Sequence, residues 1–208
     1  ASSASISFMD EQLGKMLDVL DASGLAENTV ILLVSDHGYQ LGSHGLWQKR
    51  DLYENSLRSP LILVAPDKVP TGARSDVLVE LTDIYPTLVA LAGLDGPDTP
   101  IEGINLLPAL EGKPSQRKAA FSQSWSAAHL TRPERQGMQV MGYTIRTDRY
   151  RYTEWSRGSE GIELYDYHID PFEYRNLAGQ ESHARIQKSL ANLLDAKLGS
   201  IEQTRSTH

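Results

Sequence analysis

Asp36, His37, His44 and Lys49 share one short run, Ser35-Asp36-His37-Gly38-Tyr39-Gln40-Leu41-Gly42-Ser43-His44-Gly45-Leu46-Trp47-Gln48-Lys49. A carboxylate such as Asp36 is a hard oxygen ligand for Ca²⁺ or Mg²⁺. The adjacent His37 imidazole can complete a metal shell or donate to an anionic oxygen. Lys49 supplies a compact positive charge suited to sulfate or phosphate. Gly38 lets the backbone turn sharply or approach a ligand closely. Each residue also has a plainer reading. Asp-His-Gly after a strand forms turns in which the Asp side chain bonds local amides. His44 can be a loop or packing histidine, Lys49 a solvated surface charge, and Leu46 and Trp47 core rather than pocket wall. On residue types and spacing alone both readings stand.

The elements that must position these groups follow α/β grammar. From Ile6 to Leu20, Met9, Leu13, Met16, Leu17 and Leu20 recur at helical spacing, and Gly24 can close that helix. Val30–Val34 is a β-branched run of buried-strand type that ends just before Asp36. In open α/β sheets ligands bind beyond the carboxyl ends of the strands, which is where Asp36 falls. Leu61–Val64 is a second such strand. Thr82 or Asp83 can cap a helix to about Ala92, with Pro86 near its first turn and Gly93 at its end. Leu107–Leu110 reads as a helical turn ended by Gly112. Met138–Trp155 alternates, is broken at Thr147-Asp148-Arg149, and reads as a hairpin. Ile162–Tyr167 is a third strand of that sheet. Glu181–Leu198 is an amphipathic helix with Ile186, Leu190, Leu193, Leu194 and Leu198 on one face. The texture changes in about 112–136. The expected organisation is an α/β part over 1–120 and an antiparallel sheet with one helix over 121–208.

Composition narrows the partners. The 208 residues carry a formal net charge of −7, which argues against nucleic acid as a main partner. There is no cysteine, so disulfides, Cys–zinc sites and cysteine nucleophiles are excluded within the chain. No apolar run is long enough for a transmembrane span. The start, ASSASISFMDEQ, lacks an initiator Met and is read as a fragment or a processed chain. His129, His168 and His183 show no ligand spacing.

The run Ser35–Pro66, "SDHGYQLGSHGLWQKRDLYENSLRSPLILVAP", resembles the C-terminal half of type I sulfatases of the alkaline-phosphatase-like superfamily, and most of all the iduronate-2-sulfatase branch with its bacterial relatives. "VELTDIYPTLVALAGL" is similar to the family helix that follows the second strand. "MGYTIRTDRYRYTEW" and "ELYDYHIDPFEYRNLA" resemble its C-terminal hairpin and closing segment. The resemblance covers nearly the whole chain, in order. It implies the C-terminal part of an α/β/α sandwich plus a small antiparallel-sheet-and-helix subdomain.

The resemblance also implies hydrolysis of sulfate esters, with sulfated sugars as substrates. The implied helpers are one Ca²⁺ ion and a formylglycine made from Cys or Ser in a Cys/Ser-x-Pro-x-Arg motif. Asp36 and His37 match the family's late metal-site pair and Lys49 its sulfate-contacting lysine; Trp47 and His44 are secondary substrate-binding candidates. Ser43 stands where many relatives have Glu. The formylglycine motif and the early pair of metal-binding aspartates belong to the N-terminal half and are absent here. Thr131-Arg132-Pro133-Glu134-Arg135 matches the motif only superficially, in the wrong half. The implied partner is therefore the N-terminal half of the same protein. A periplasmic, secreted or lysosome-like location follows from the family only. A phosphoesterase or phosphonate hydrolase of the same superfamily, or a non-catalytic fragment, are the alternatives. If the remaining strands lie in the missing half, Val30–Val34 and Leu61–Val64 are expected to stand unpaired.

Overall fold

The structure is a computed structural model that describes residues 2–126 and 140–206. The Thr131–Arg135 stretch, His129 and Met138 lie outside the described residues. Helix α1 spans Ser2–Ala22 and closes where Gly24 turns left-handed at φ 71°. None of its residues is buried. Met9, Met16 and Leu17 of the expected inner face are exposed, because no described element covers them.

Strands β1 (Ile31–Val34) and, later in the chain, β4 (Leu61–Val64) pair antiparallel from Ile31↔Val64 to Val34↔Leu61. This corrects the expectation that both stand unpaired: each finds the other. It also corrects their reading as buried strands. Val34, Leu61, Ile62 and Val64 are each more than a third exposed, since no layer among the described residues lies over them. Between these strands come β2 (Gln40–Leu41), β3 (Trp47–Gln48) and the one-turn helix α2 (Glu54–Leu57).

Helix α3 (Ile84–Ala92) follows a 3₁₀ turn over Leu81–Asp83. Its cap is reciprocal: the Glu80 and Asp83 side chains each take the other's backbone N–H. Glu80 caps the 3₁₀ turn, and Asp83, one of the two residues expected to cap the helix, stands at the N-cap position of α3 without a side-chain bond to that helix. Asp83 is fully buried and paired with Arg117, and Glu80 accepts from the Phe121 amide. The single turn α4 (Leu107–Leu110) follows.

The second half is one antiparallel sheet, in the order β5 (Ala120–Ser126), β6 (Val140–Arg146), β7 (Tyr150–Trp155), β8 (Gly161–Asp166). The hairpin and third strand stand as expected, and β5 is an added strand. Helix α5 (Ala184–Ser206) packs across one face. Strand alternation puts Ile145, Tyr152 and Leu164 on that face, against Leu190, Leu194 and Leu198. Each such side chain, once buried, stabilises by roughly 1.5–3 kcal/mol. Leu193 points away and is 39% exposed. The other face carries Val140, Thr144, Arg151, Thr153 and Trp155. Leu52, just past Lys49, packs on Val140 and Trp155 there. The sheet therefore lies between α5 and the segment that bears the candidate site. Among the described residues no helix is long and apolar enough to cross a membrane.

Candidate active site

The β1–β4 ladder does not stop at Val34. Ser35 N donates to Pro60 O, Gly38 N to Ser56 O, and Tyr39 N to Asn55 O. Gln40 then pairs with Gln48, Leu41 with Trp47, and Gly42 N reaches Leu46 O. The segment is a nested antiparallel ribbon with His44 at its tip and α2 folded into its return arm. Asp36 and His37 lie between two rungs, and Lys49 lies on the return arm beside the Gln40↔Gln48 pair.

Gly38 makes this ribbon possible. A Cβ at that position would overlap the carbonyl oxygen of Asn55. Only a glycine lets the backbone lie flush on α2 and donate to its carbonyls. Asp51 organises the same turn, accepting from Tyr53 N (3.0 Å), Ser56 Oγ (2.6 Å) and Gln40 Nε2 (3.2 Å).

Three of the five expected site residues converge. Lys49 Nζ lies 2.7 Å from His37 Nε2, and Asp36 Oδ2 lies 3.4 Å from the same nitrogen. The ammonium has only protons to give, so Nε2 accepts and Nδ1 carries the imidazole proton. That proton points at Gly38 O, 2.6 Å away. The backbone thus fixes the tautomer, a usual arrangement for metal-binding histidines. Asp36 is largely exposed and His37 about one-third exposed, so the group opens to solvent. His44 and Trp47 stand apart from this point. His44 stacks on Tyr53 with ring centroids 3.9 Å apart and planes 3° apart. Trp47 is 69% exposed on the ribbon.

Asp36 offers a carboxylate oxygen, the donor type Ca²⁺ prefers, and His37 offers a nitrogen lone pair set by its tautomer. Among the described residues no group of three or more His, Asp or Glu could hold an ion, whereas Ca²⁺ takes about six to eight donors.

Sequence reasoning missed the support behind α2. Arg151 is 2% exposed on β7 and donates to both Glu54 and Glu173. Glu173 in turn accepts from the Glu54 amide at 2.7 Å, capping α2, and from the Tyr167 hydroxyl. Burial works against the Arg151 charge, yet Tyr167, Glu173 and Glu54 around it hold its pKa above the ordinary value. Burial, with Glu163 nearby, pushes the Tyr53 hydroxyl up to about 12, so the ring under His44 stays neutral. One signal did exist: Arg151 falls on the face of its strand shared with Thr153 and Trp155. A charge on a covered face needs partners.

Comparison with known proteins gives this geometry its class. In a solved structure, BT4656 in complex with its substrate D-glucosamine-2-N,6-O-disulfate superposes with a TM-score of 0.82 at 31% identity, over 93% of this chain and 39% of that one. The phosphonate monoester hydrolase of Agrobacterium radiobacter superposes with a TM-score of 0.77 at 27% identity, over 96% and 40%. The fold is the C-terminal part of the alkaline-phosphatase-like α/β fold of sulfatases. Residues 42–199 match the family model "N-sulphoglucosamine sulphohydrolase, C-terminal", and the chain belongs to that family. It is 33% identical to the N-acetylglucosamine-6-O-sulfatase of Bacteroides thetaiotaomicron over 92% of its length. It is also 33% identical to the iduronate 2-sulfatase of Homo sapiens, over 73% of its length. The chain spans 34% and 36% of these two relatives.

Proposed function

We propose that the chain is the C-terminal portion of a sulfuric ester hydrolase that acts on sulfated sugars. The observation that carries this is the convergence of Asp36, His37 and Lys49 on one exposed point of the ribbon, in a chain of sulfatase family. Asp36 gives a carboxylate oxygen to a Ca²⁺ ion. His37 gives its Nε2 lone pair either to the Lys49 ammonium, as in this structure, or to the cation. Lys49 has protons for the sulfate oxygens. Bound there, Ca²⁺ would supply positive charge that steadies the negative oxygens of the ester. Lys49 adds to that stabilisation on the same side. The rest of the ion's shell and the attacking group, a formylglycine, belong to an N-terminal portion that acts together with this one. Trp47 and His44 face substrate from the ribbon.

The test is hydrolysis of glucosamine 6-sulfate by the intact protein and by its Lys49→Ala variant. Loss of an oxyanion-stabilising donor is worth about a hundredfold or more in rate, and that fall in kcat/KM is expected. An unchanged kcat/KM removes Lys49 from the role. A second reading is phosphonate monoester hydrolysis, favoured by the superposition on the Agrobacterium radiobacter enzyme. Faster turnover of a phosphonate monoester than of any sulfate ester would select it.

A further inference from the structure

Glu173 takes φ 61°, a left-handed conformation that costs a non-glycine residue free energy. It is only 2% exposed, and its carboxylate is fastened by Arg151, Tyr167 and the Glu54 amide. With Glu173 pinned inward, its two neighbours are turned outward. Phe172 and Tyr174 are each 68% exposed, their ring centroids 6.2 Å apart and planes 29° apart. On the facing ribbon tip His44 is also left-handed, at φ 57°. Its ring lies 5.0 Å from Tyr174 and rests on Tyr53. Two anchored, strained turns, distant in sequence, therefore meet here: one presents Phe172 and Tyr174 to water, the other sets the half-buried His44 ring beside Tyr174.

No described element covers the Phe172 and Tyr174 rings. Between the two turns lies only a small dent, lined by Ser43, His44, Asn55, Phe172 and Tyr174 among others. A second open depression lies on the far side of Tyr174, against Ile169, Asp170 and Arg175. The rim is polar: Asn55 Nδ2 donates to Ser43 Oγ at 3.1 Å, which leaves the side-chain oxygen Oδ1 of Asn55 and the Ser43 hydroxyl proton for a ligand. Aromatic faces edged by a few hydrogen-bonding groups match a pyranose ring, with its apolar C–H face and its hydroxyl edge. The surface and the charged cluster share one element, since His44 is the tip of the ribbon whose arms carry Asp36, His37 and Lys49.

We propose that Phe172, Tyr174 and His44 form a sugar-ring subsite, with Ser43 and Asn55 taking ring hydroxyls. The proposal rests on the reading of the chain as part of a sulfated-sugar hydrolase. A ring lies across this surface rather than sinking into it. Affinity for the sugar, and not cleavage of the sulfate ester, is what the subsite adds.

The test compares the intact protein with its Phe172→Ala/Tyr174→Ala variant. On glucosamine 6-sulfate the variant's KM rises about tenfold, the scale of two lost ring contacts. On 4-nitrophenyl sulfate, which carries no sugar, kcat/KM stays unchanged. Equal losses on both substrates, or none on either, overturn the subsite. A second measurement needs no catalysis: saturation-transfer NMR with unsulfated N,N′-diacetylchitobiose. Transfer to the sugar ring protons is expected in the wild type and in Lys49→Ala, and is lost in the double variant. No transfer in the wild type overturns the subsite even where sulfate esters are cleaved. Transfer without any sulfate hydrolysis upholds the subsite and overturns the proposed reaction.

Discussion

The hydrogen at the α-carbon of Gly38 decides whether the ribbon can lie on α2. Gly38→Ala places a methyl group against the Asn55 carbonyl, and backbone on both sides must separate. Overpacking of this kind costs about 1–3 kcal/mol. Chemical denaturation should show that loss, with weakened turnover of sulfate esters because Asp36 and His37 move with the loop. A melt equal to wild type would mean that the contact is loose. The Asp-His-Gly spacing was legible because three chemical types sit side by side in the sequence. Lys49 was named from its charge and from the family resemblance, but its contact with His37 closes over 12 residues and no local pattern foretells it. Arg151, Glu54 and Glu173 were not legible as a group. Arg151 and Glu54 lie 97 residues apart, and no local pattern relates them.

At the scale of elements, α2 is a single turn and cannot be stable by itself. It is held on one side by the ribbon amides of Gly38 and Tyr39, which donate to its carbonyls, and on the other by the Arg151–Glu173 pair. Arg151→Met should cost about 3–5 kcal/mol, because Glu173 is then a buried charge without its partner. Arg151→Met/Glu173→Gln removes both charges and should recover part of that loss. Denaturant midpoints of the two variants check this, and equal midpoints would show that the pair is not coupled. Helix α5 and strands β6–β8 were readable because their apolar periods match the face they bury. Strand β5, Ala-Phe-Ser-Gln-Ser-Trp-Ser, was not. Its small polar residues carry no strand preference, and pairing with β6 makes it a strand. The exposure of β1 and β4 was hidden for another reason. An apolar β-branched run reads as buried whether or not a covering layer lies over it.

For the molecule as a whole, acid should weaken the sheet that packs on α5. Asp166 accepts two hydrogen bonds from Arg149 and one from the His168 amide. The Arg149 bonds hold its carboxyl below the usual range. A carboxylate lowered in the folded state stabilises it fully above the ordinary value of about 3.9. That contribution fades as pH falls below this value and through the lowered one. Arg149 is half exposed, so the effect is modest. Thermal melts below about pH 4 should therefore fall more steeply for wild type than for Asp166→Asn, and parallel curves would count against the pairing.

The nested ribbon also fixes an order of events during synthesis. All its rungs join residues between Ile31 and Val64, so it can zip while the rest of the chain is still being made. Its cap cannot. The amide of Glu54 waits for Glu173, 119 residues later, and short-range closure precedes such a distant partner. The arm that carries Asp36, His37 and Lys49 is thus drafted early by its own neighbours and is locked only when the turn that bears Glu173 arrives. A chain truncated before Glu173 would keep the ribbon's outline and lose the grip that holds its chemistry still.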